Sequence, residues 1–159
     1  MEIYAIGSLE KDKIKDFFTK HWGSAEMVLS SGIYDCSTLD GFAVLNNENS
    51  IIGLITYVIE DNECEIISLD SNEEGKGIGS LLVNEVEKLA LTKQCNLIKL
   101  VTTNDNLLAL KFYQKRNFQL SKVIRNAVEN ARKFKPEIPL VGNDGIPIRD
   151  EIELIKPIE

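Results

Sequence analysis

No stretch of the 159-residue chain is apolar for long enough to span a bilayer, and no signal-peptide pattern opens it, so neither membrane insertion nor export is expected. Positive charge is in short supply. Eighteen lysines and arginines stand against 25 aspartates and glutamates, a net charge of −7, which argues against nucleic acid or an anionic membrane as the main partner and suits cationic small molecules. Cysteine is sparse and odd in number. Cys36, Cys64 and Cys95 cannot all pair and have no metal-ligand spacing, so reduced thiols buried as small hydrophobes in a cytoplasmic protein are expected, with no metal. The rest of the composition is ordinary. With 43% hydrophobic and 27% charged residues, the chain can build a sizeable core as a single domain over residues 1–159.

Taken in order, Ile3 to Ile6 reads as a short strand, and Ile14, Phe17, Phe18, His21 and Trp22 then recur at helical spacing until Gly23 breaks the pattern. Ser24 to Asp40 has no clean period and reads as irregular structure or a short helix. Phe42 to Leu45 and Ile51 to Ile59 flank the turn composition Asn46-Asn47-Glu48-Asn49, which predicts an antiparallel hairpin. Asp61-Asn62 turns the chain again into a strand at Cys64 to Leu69. Ile78, Leu81, Leu82, Val86, Leu89 and Ala90 keep helical spacing, Ile98 to Thr103 is a short apolar strand, and a further helix follows it. A right-handed crossover then puts the strands at Glu65 and Lys99 parallel and adjacent. Phe118 to Val123 predicts another strand, Ile124 to Phe134 a last helix, and Glu151 to Ile155 the final strand. The Pro- and Gly-rich connection from Pro136 to Pro147 reads as a surface loop that positions that strand, or as a lid.

Three glycines in five residues, within Glu74-Gly75-Lys76-Gly77-Ile78-Gly79, stand between a strand and an amphipathic helix. Glycine brings backbone close to a ligand, and the amides that open a helix favour an anion such as phosphate. The spacing excludes two families of phosphate loop. A P-loop would need glycine at Asp70 and Ser or Thr at Gly77, and a Rossmann fingerprint would need glycine at Ser80 or a small residue at Leu82. What remains resembles the acyl-CoA loop of the GNAT acyltransferase superfamily: Arg or Gln, two residues, Gly, one residue, then Gly or Ala, here Glu74, Gly77 and Gly79. A second motif resembles the same superfamily. Asn106-Leu107-Leu108-Ala109-Leu110-Lys111-Phe112-Tyr113, closing with Asn117-Phe118, follows its pattern of Asn, Ala, an apolar residue and Tyr, then commonly Gly-Phe. Asn117 replaces the usual glycine, a mild change because asparagine tolerates a left-handed helix end. The two motifs cover about residues 64 to 120.

The resemblance implies an α/β (α+β) fold: a central mixed, mostly antiparallel sheet with a parallel, splayed strand pair and flanking helices. It also implies acetyl-CoA as acyl donor and cosubstrate, a small-molecule or peptide amine as acceptor, and it allows a homodimer. On this reading Gly75, Lys76, Gly77, Ile78, Gly79 and Ser80 meet the pyrophosphate, and Ile67, Ser68 and Leu69 supply the strand edge for the pantetheine arm. The amide near Leu69 would polarise the thioester carbonyl. Asn106 reads either as a pantetheine partner or as a helix cap. Glu74, in place of Arg or Gln, brings a negative charge towards a negative ligand, which Lys76 can offset.

An alkylammonium with a pKa of roughly 10 must lose a proton before it attacks. Glu65, a carboxylate in an otherwise apolar strand, is the candidate general base, sharing a face with Ile67 and Leu69 by strict alternation; the competing reading is a strand-edge charge in solvent. Tyr113 stands where the superfamily places the acid that protonates the leaving thiolate, and otherwise reads as part of a packed helix face. The acceptor-site candidates are His21, Trp22, Tyr34, Asp35 and Tyr57, each also readable as structural. The activity implied is N-acetyl transfer by direct attack; the alternative is a non-catalytic CoA-binding or regulatory module on the same fold.

Overall fold

The computed structural model describes residues 2–72 and 76–158. In chain order the elements are β1 (Glu2–Ala5), α1 (Lys11–Trp22), β2 (Glu26–Leu29), β3 (Gly32–Asp35), β4 (Asp40–Leu45), β5 (Ile51–Glu60) and β6 (Glu63–Ser71). There follow α2 (Ile78–Thr92), β7 (Leu97–Thr103), α3 (Leu107–Gln114), β8 (Gln119–Ile124), α4 (Ala127–Ala131) and β9 (Glu151–Pro157), with short 3-10 turns between some of them. Two compact units divide the chain, one formed mainly by residues 1–27 and 35–98 and the other by residues 28–34 and 99–157.

The first unit is built on an antiparallel sheet in the order β1, β4, β5, β6. β5 starts as a continuous buried run from Ile51 to Thr56 because α1 and α2 both pack against it. A strand covered on both faces has no need to alternate. α1 buries Ile14, Phe17 and Phe18 and ends where Gly23 takes a left-handed φ of 82°, as the sequence predicts. α2 buries Ile78, Leu82, Val83, Val86 and Ala90 over β4, β5 and β6. Each large aliphatic side chain removed from water there contributes roughly 1.5–3 kcal/mol. The approach is close at Gly53, where an added Cβ would lie 2.3 Å from Ile78 Cγ2. Cys36, Cys64 and Cys95 are all buried and none is in a disulfide; burial pushes the Cys64 thiol up to about 12 and Cys95 in the same direction.

Between Ser24 and Asp40 the expected irregular segment contains a small two-stranded sheet, β2 with β3, and a 3-10 turn at Cys36–Thr38. Four-residue strands are too short for alternation to stand out from noise.

In the second unit the strands run in the order β7, β9, β8, with β8 and β9 antiparallel. β8 is almost wholly exposed, and its register slips at Ser121, a bulge of the kind that guards a sheet edge. The last helix is shorter than expected: Ile124 still belongs to β8, and α4 begins only after Asn126, whose φ is 60°. Asn117 takes a φ of 72° after α3, the left-handed end predicted for it.

The long connection before β9 is tied down throughout. Arg132 donates to the carbonyl oxygens of Ile138 (3.2 Å), Pro139 and Ile148 (2.7 Å). Asn104 donates to Pro147 O at 2.9 Å and accepts from the amides of Arg149 and Asp150, each at 3.0 Å. Buried Asp105 accepts from Asn143 N at 3.0 Å and from the Thr103 hydroxyl. These bonds carry the loop back to the turn before α3 and set the start of β9, in keeping with a surface loop that positions the final strand.

Candidate functional site

β6 and the start of α2 carry most of the residues singled out in the first unit. The β5/β6 register slips between Thr56 and Tyr57: Ser68 lies opposite Thr56, Ile66 opposite Tyr57, and Ile67 is the extra residue of a bulge. One expectation is corrected by this. Strict alternation puts Glu65 on a face with Ile67 and Leu69, but Glu65 lies opposite Val58, and Val58 shares its face of β5 with Thr56 and Leu54. Glu65 therefore shares a face with Ser68 and Asp70. It is 8% exposed, so it is not a solvated edge charge. The Thr56 and Ser68 hydroxyl oxygens lie 2.6 Å apart on that face, buried between the strands.

Beyond β6, Glu74 and Gly75 lie outside the described residues. Lys76 and Gly77 are exposed, Ile78 is buried, and Gly79 and Ser80 are half-buried in the first turn of α2. Gly77 has a φ of 76° at the N-cap, which explains glycine there by conformation, since an added Cβ would meet nothing within 4 Å. Among the described residues no side chain caps this helix, and its first turn holds no carboxylate. The amides of Ile78 and Gly79 thus open a helix whose first turn carries no negative side chain among the described residues, an arrangement that favours an anion.

In the second unit, Asn106 is the N-cap of α3, its Oδ1 accepting from Ala109 N at 3.1 Å. Of its two readings the cap is realised, and the Nδ2 donors are not part of that bond. Tyr113 is 6% exposed on α3, edge-on to Phe112 at 5.0 Å and to Phe118 at 5.3 Å between ring centroids. Asn106 and Tyr113 thus stand on one helix, one at its mouth and one on its packed face.

The acceptor candidates separate. His21 and Trp22, at the end of α1, both bond to the end of β6: His21 Nε2 lies 2.6 Å from Asn72 Oδ1, and Trp22 Nε1 donates to Asp70 Oδ2 at 2.7 Å. Asp35 caps the following 3-10 turn, accepting from Ser37 N at 3.0 Å and from the Ser37 hydroxyl at 2.6 Å, and that bonding holds its carboxyl below the usual range. Tyr34 donates to Ser31 Oγ at 3.0 Å. Tyr57 stacks on Phe42, 6.1 Å between centroids, and burial with help from Asp40 pushes its hydroxyl up to about 12. It lies on the opposite face of β5 from Thr56, away from Glu65. The sequence reading did not pick out Asp70 or Asn72; a second charge in the strand that holds Glu65 was the available signal.

Among the described residues the elements define an α/β protein with a mixed, mostly antiparallel sheet that includes one parallel pair, and four helices. Residues 10–118 match the model of the acetyltransferase (GNAT) family, and the chain belongs to that family. It is 53% identical to YxbD of Bacillus subtilis (strain 168) over 159 residues, the full length of both chains. Among solved structures, a GNAT family acetyltransferase from Elizabethkingia anophelis with acetyl-CoA bound is 25% identical, with a TM-score of 0.65 over 77% of this chain and 78% of that one. A Bacillus subtilis acetyltransferase in complex with CoA shares the fold at a TM-score of 0.70 over 99% of each chain, with 15% identity.

Proposed function

We propose that the protein is an N-acetyltransferase that moves an acetyl group from acetyl-CoA to a primary amine by direct attack. The observation that supports this reading is the start of α2, where Gly77 is left-handed and, among the described residues, there is no side-chain cap and no first-turn carboxylate, an end that favours an anion, in a chain of the GNAT family. Gly75 to Ser80 bind the pyrophosphate, Asn106 gives its Nδ2 donors to the pantetheine arm, and the edge of β6 at Ile67 to Leu69 accepts the rest. Leu69 N–H donates to the thioester oxygen as negative charge develops there. Glu65, acting through water, takes the proton of the acceptor ammonium. The neutral nitrogen then forms a bond to the carbonyl carbon as the carbon–sulfur bond breaks, its second proton passing to solvent to leave the amide, and Tyr113 gives its hydroxyl proton to the departing thiolate, regaining one from solvent.

The test is thiol release from acetyl-CoA across a broad panel of amines. Amine-dependent release supports the reading; tight acetyl-CoA binding with no release for any amine favours a non-catalytic CoA-binding module. Tyr113→Phe should lower turnover at least tenfold with donor affinity nearly intact. Equal turnover in that variant removes Tyr113 as the acid.

A further inference from the structure

Asp70 is a half-buried carboxylate whose side chain bonds to Trp22. It follows Leu69 on β6, lies opposite Leu54, and shares the sheet face that carries Glu65 and Ser68. Burial raises its carboxyl above the ordinary value, opposed by the Trp22 N–H and by the charge of His21. Among the described residues no lysine or arginine pairs with it. A half-buried carboxylate keeps part of its hydration and gains from a cation or donors that replace the rest, and here the bonded donor is a single indole N–H.

The indole does not serve simply as an anchor between helix and strand, which would bury both partners. Trp22 remains 46% exposed. The bond holds the carboxylate beside an indole that keeps much of its surface in solvent. His21 bonds not to Asp70 but to Asn72 through Nε2, and its ring lies tilted against Phe17 with 4.3 Å between ring centroids. Asn72 in turn donates to Ile51 O at 3.1 Å, so the strand end that carries Asp70 is held in place. A carboxylate held beside a partly exposed indole suits a cation such as an alkylammonium, paired with the carboxylate and lying over the ring.

We propose that Asp70 and Trp22 form the seat for a cationic group of the acceptor, and so select an alkylammonium substrate. The inference rests on the acetyl-transfer reading in assigning that cation to the acceptor. Trp22 is the chain's one tryptophan, so its emission reports on the seat directly. Putrescine, spermidine and n-butylamine, added at constant ionic strength near pH 7, should change the emission saturably, whereas 1-butanol should not. Asp70→Asn should weaken the response at least tenfold while melting temperature and acetyl-CoA binding stay near the parent values. A parent that responds to no amine, or responds equally to 1-butanol, overturns the seat, and this holds even if the variant does not fold. Parent-like amine affinity in Asp70→Asn overturns it as well. Amine binding without thiol release keeps the seat and removes the enzyme; thiol release with an unchanged amine KM in Asp70→Asn keeps the enzyme and removes the seat.

Discussion

The contact between Gly53 and Ile78 links the packing of the first unit to the start of α2, and it can be tested by a double-mutant cycle. A Cβ at position 53 would sit 2.3 Å from Ile78 Cγ2 and 3.2 Å from Leu82 Cδ1. Carbon atoms rest at about 3.5–4.0 Å, so helix and strand must part by more than 1 Å, because Ile78 is fully enclosed and cannot swing aside. Overpacking of this kind costs about 1–3 kcal/mol, against about 0.4–1 kcal/mol gained by replacing a strand glycine. Gly53→Ala alone should therefore lose about 1–2 kcal/mol in urea unfolding, with a fall in Tm of about 2–4 °C per kcal/mol. Ile78→Leu removes the offending branch at nearly constant volume and should cost less than about 1.5 kcal/mol by itself. In the double variant the clash is gone and the loss of freedom in the unfolded chain remains, so the two changes should couple by at least about 1 kcal/mol. If α2 opens onto the donor as proposed, acetyl-CoA affinity should fall in Gly53→Ala and return in the double variant. Additivity within about 0.5 kcal/mol would refute the reasoning, since independent sites add to that precision.

Other substitutions separate structural from ligand-binding roles. Asn106→Asp keeps the cap acceptor for Ala109 N and removes the amide donors, so it should leave the melting temperature near the parent value while weakening acetyl-CoA binding about tenfold; Asn106→Ala should lose about 1 kcal/mol of stability as well. Asn104→Ala removes the bonds to Pro147, Arg149 and Asp150 and should cost about 1–3 kcal/mol, read in hydrogen exchange as faster exchange at the amides of Arg149 and Asp150. The carboxyl of Asp70 is raised in the folded state, so the native protein holds that proton more tightly than the unfolded chain. The penalty for its charge is absent below the ordinary carboxylate pKa, grows as pH rises through the raised value, and is complete above it. Asp70→Asn should then match or exceed the parent's stability at pH 7 in urea unfolding, with the advantage fading as pH falls below the ordinary carboxylate range; a stability loss at pH 7 that persists in acid would contradict this.

Much of the fold was legible because helices of twelve and fifteen residues and strands of six to ten present enough turns or alternations for a period to stand out. The small sheet of β2 and β3 was not, since each strand has four residues and Tyr34, Ser31 and Ser37 take part in side-chain hydrogen bonds that leave no apolar period. The ordered course of residues 132–150 was hidden for another reason. Its anchors are Arg132, Asn104 and Asp105 bonded to backbone groups distant in sequence, and composition reads such a segment only as proline- and glycine-rich.

The candidate site shows where sequence periodicity stops being informative. Residues 65 and 70 differ by an odd number, so perfect alternation sends their side chains to opposite faces, and a reader who picks Glu65 for chemistry has no cause to weigh Asp70 with it. The single extra residue at Ile67 reverses that parity and puts both carboxylates on the face that carries the Thr56 and Ser68 hydroxyls. On that face the two are four register steps apart, about 13 Å along the strand, too far to serve one nitrogen directly. A bulge thus allows the proposed division of labour, which neither residue reveals in sequence: Asp70 with Trp22 would hold an ammonium, while buried Glu65 would receive a proton through water. A bulge lies in backbone pairing and not in any side chain, which is why the glycine loop could be recognised by its letters and its acidic neighbour could not.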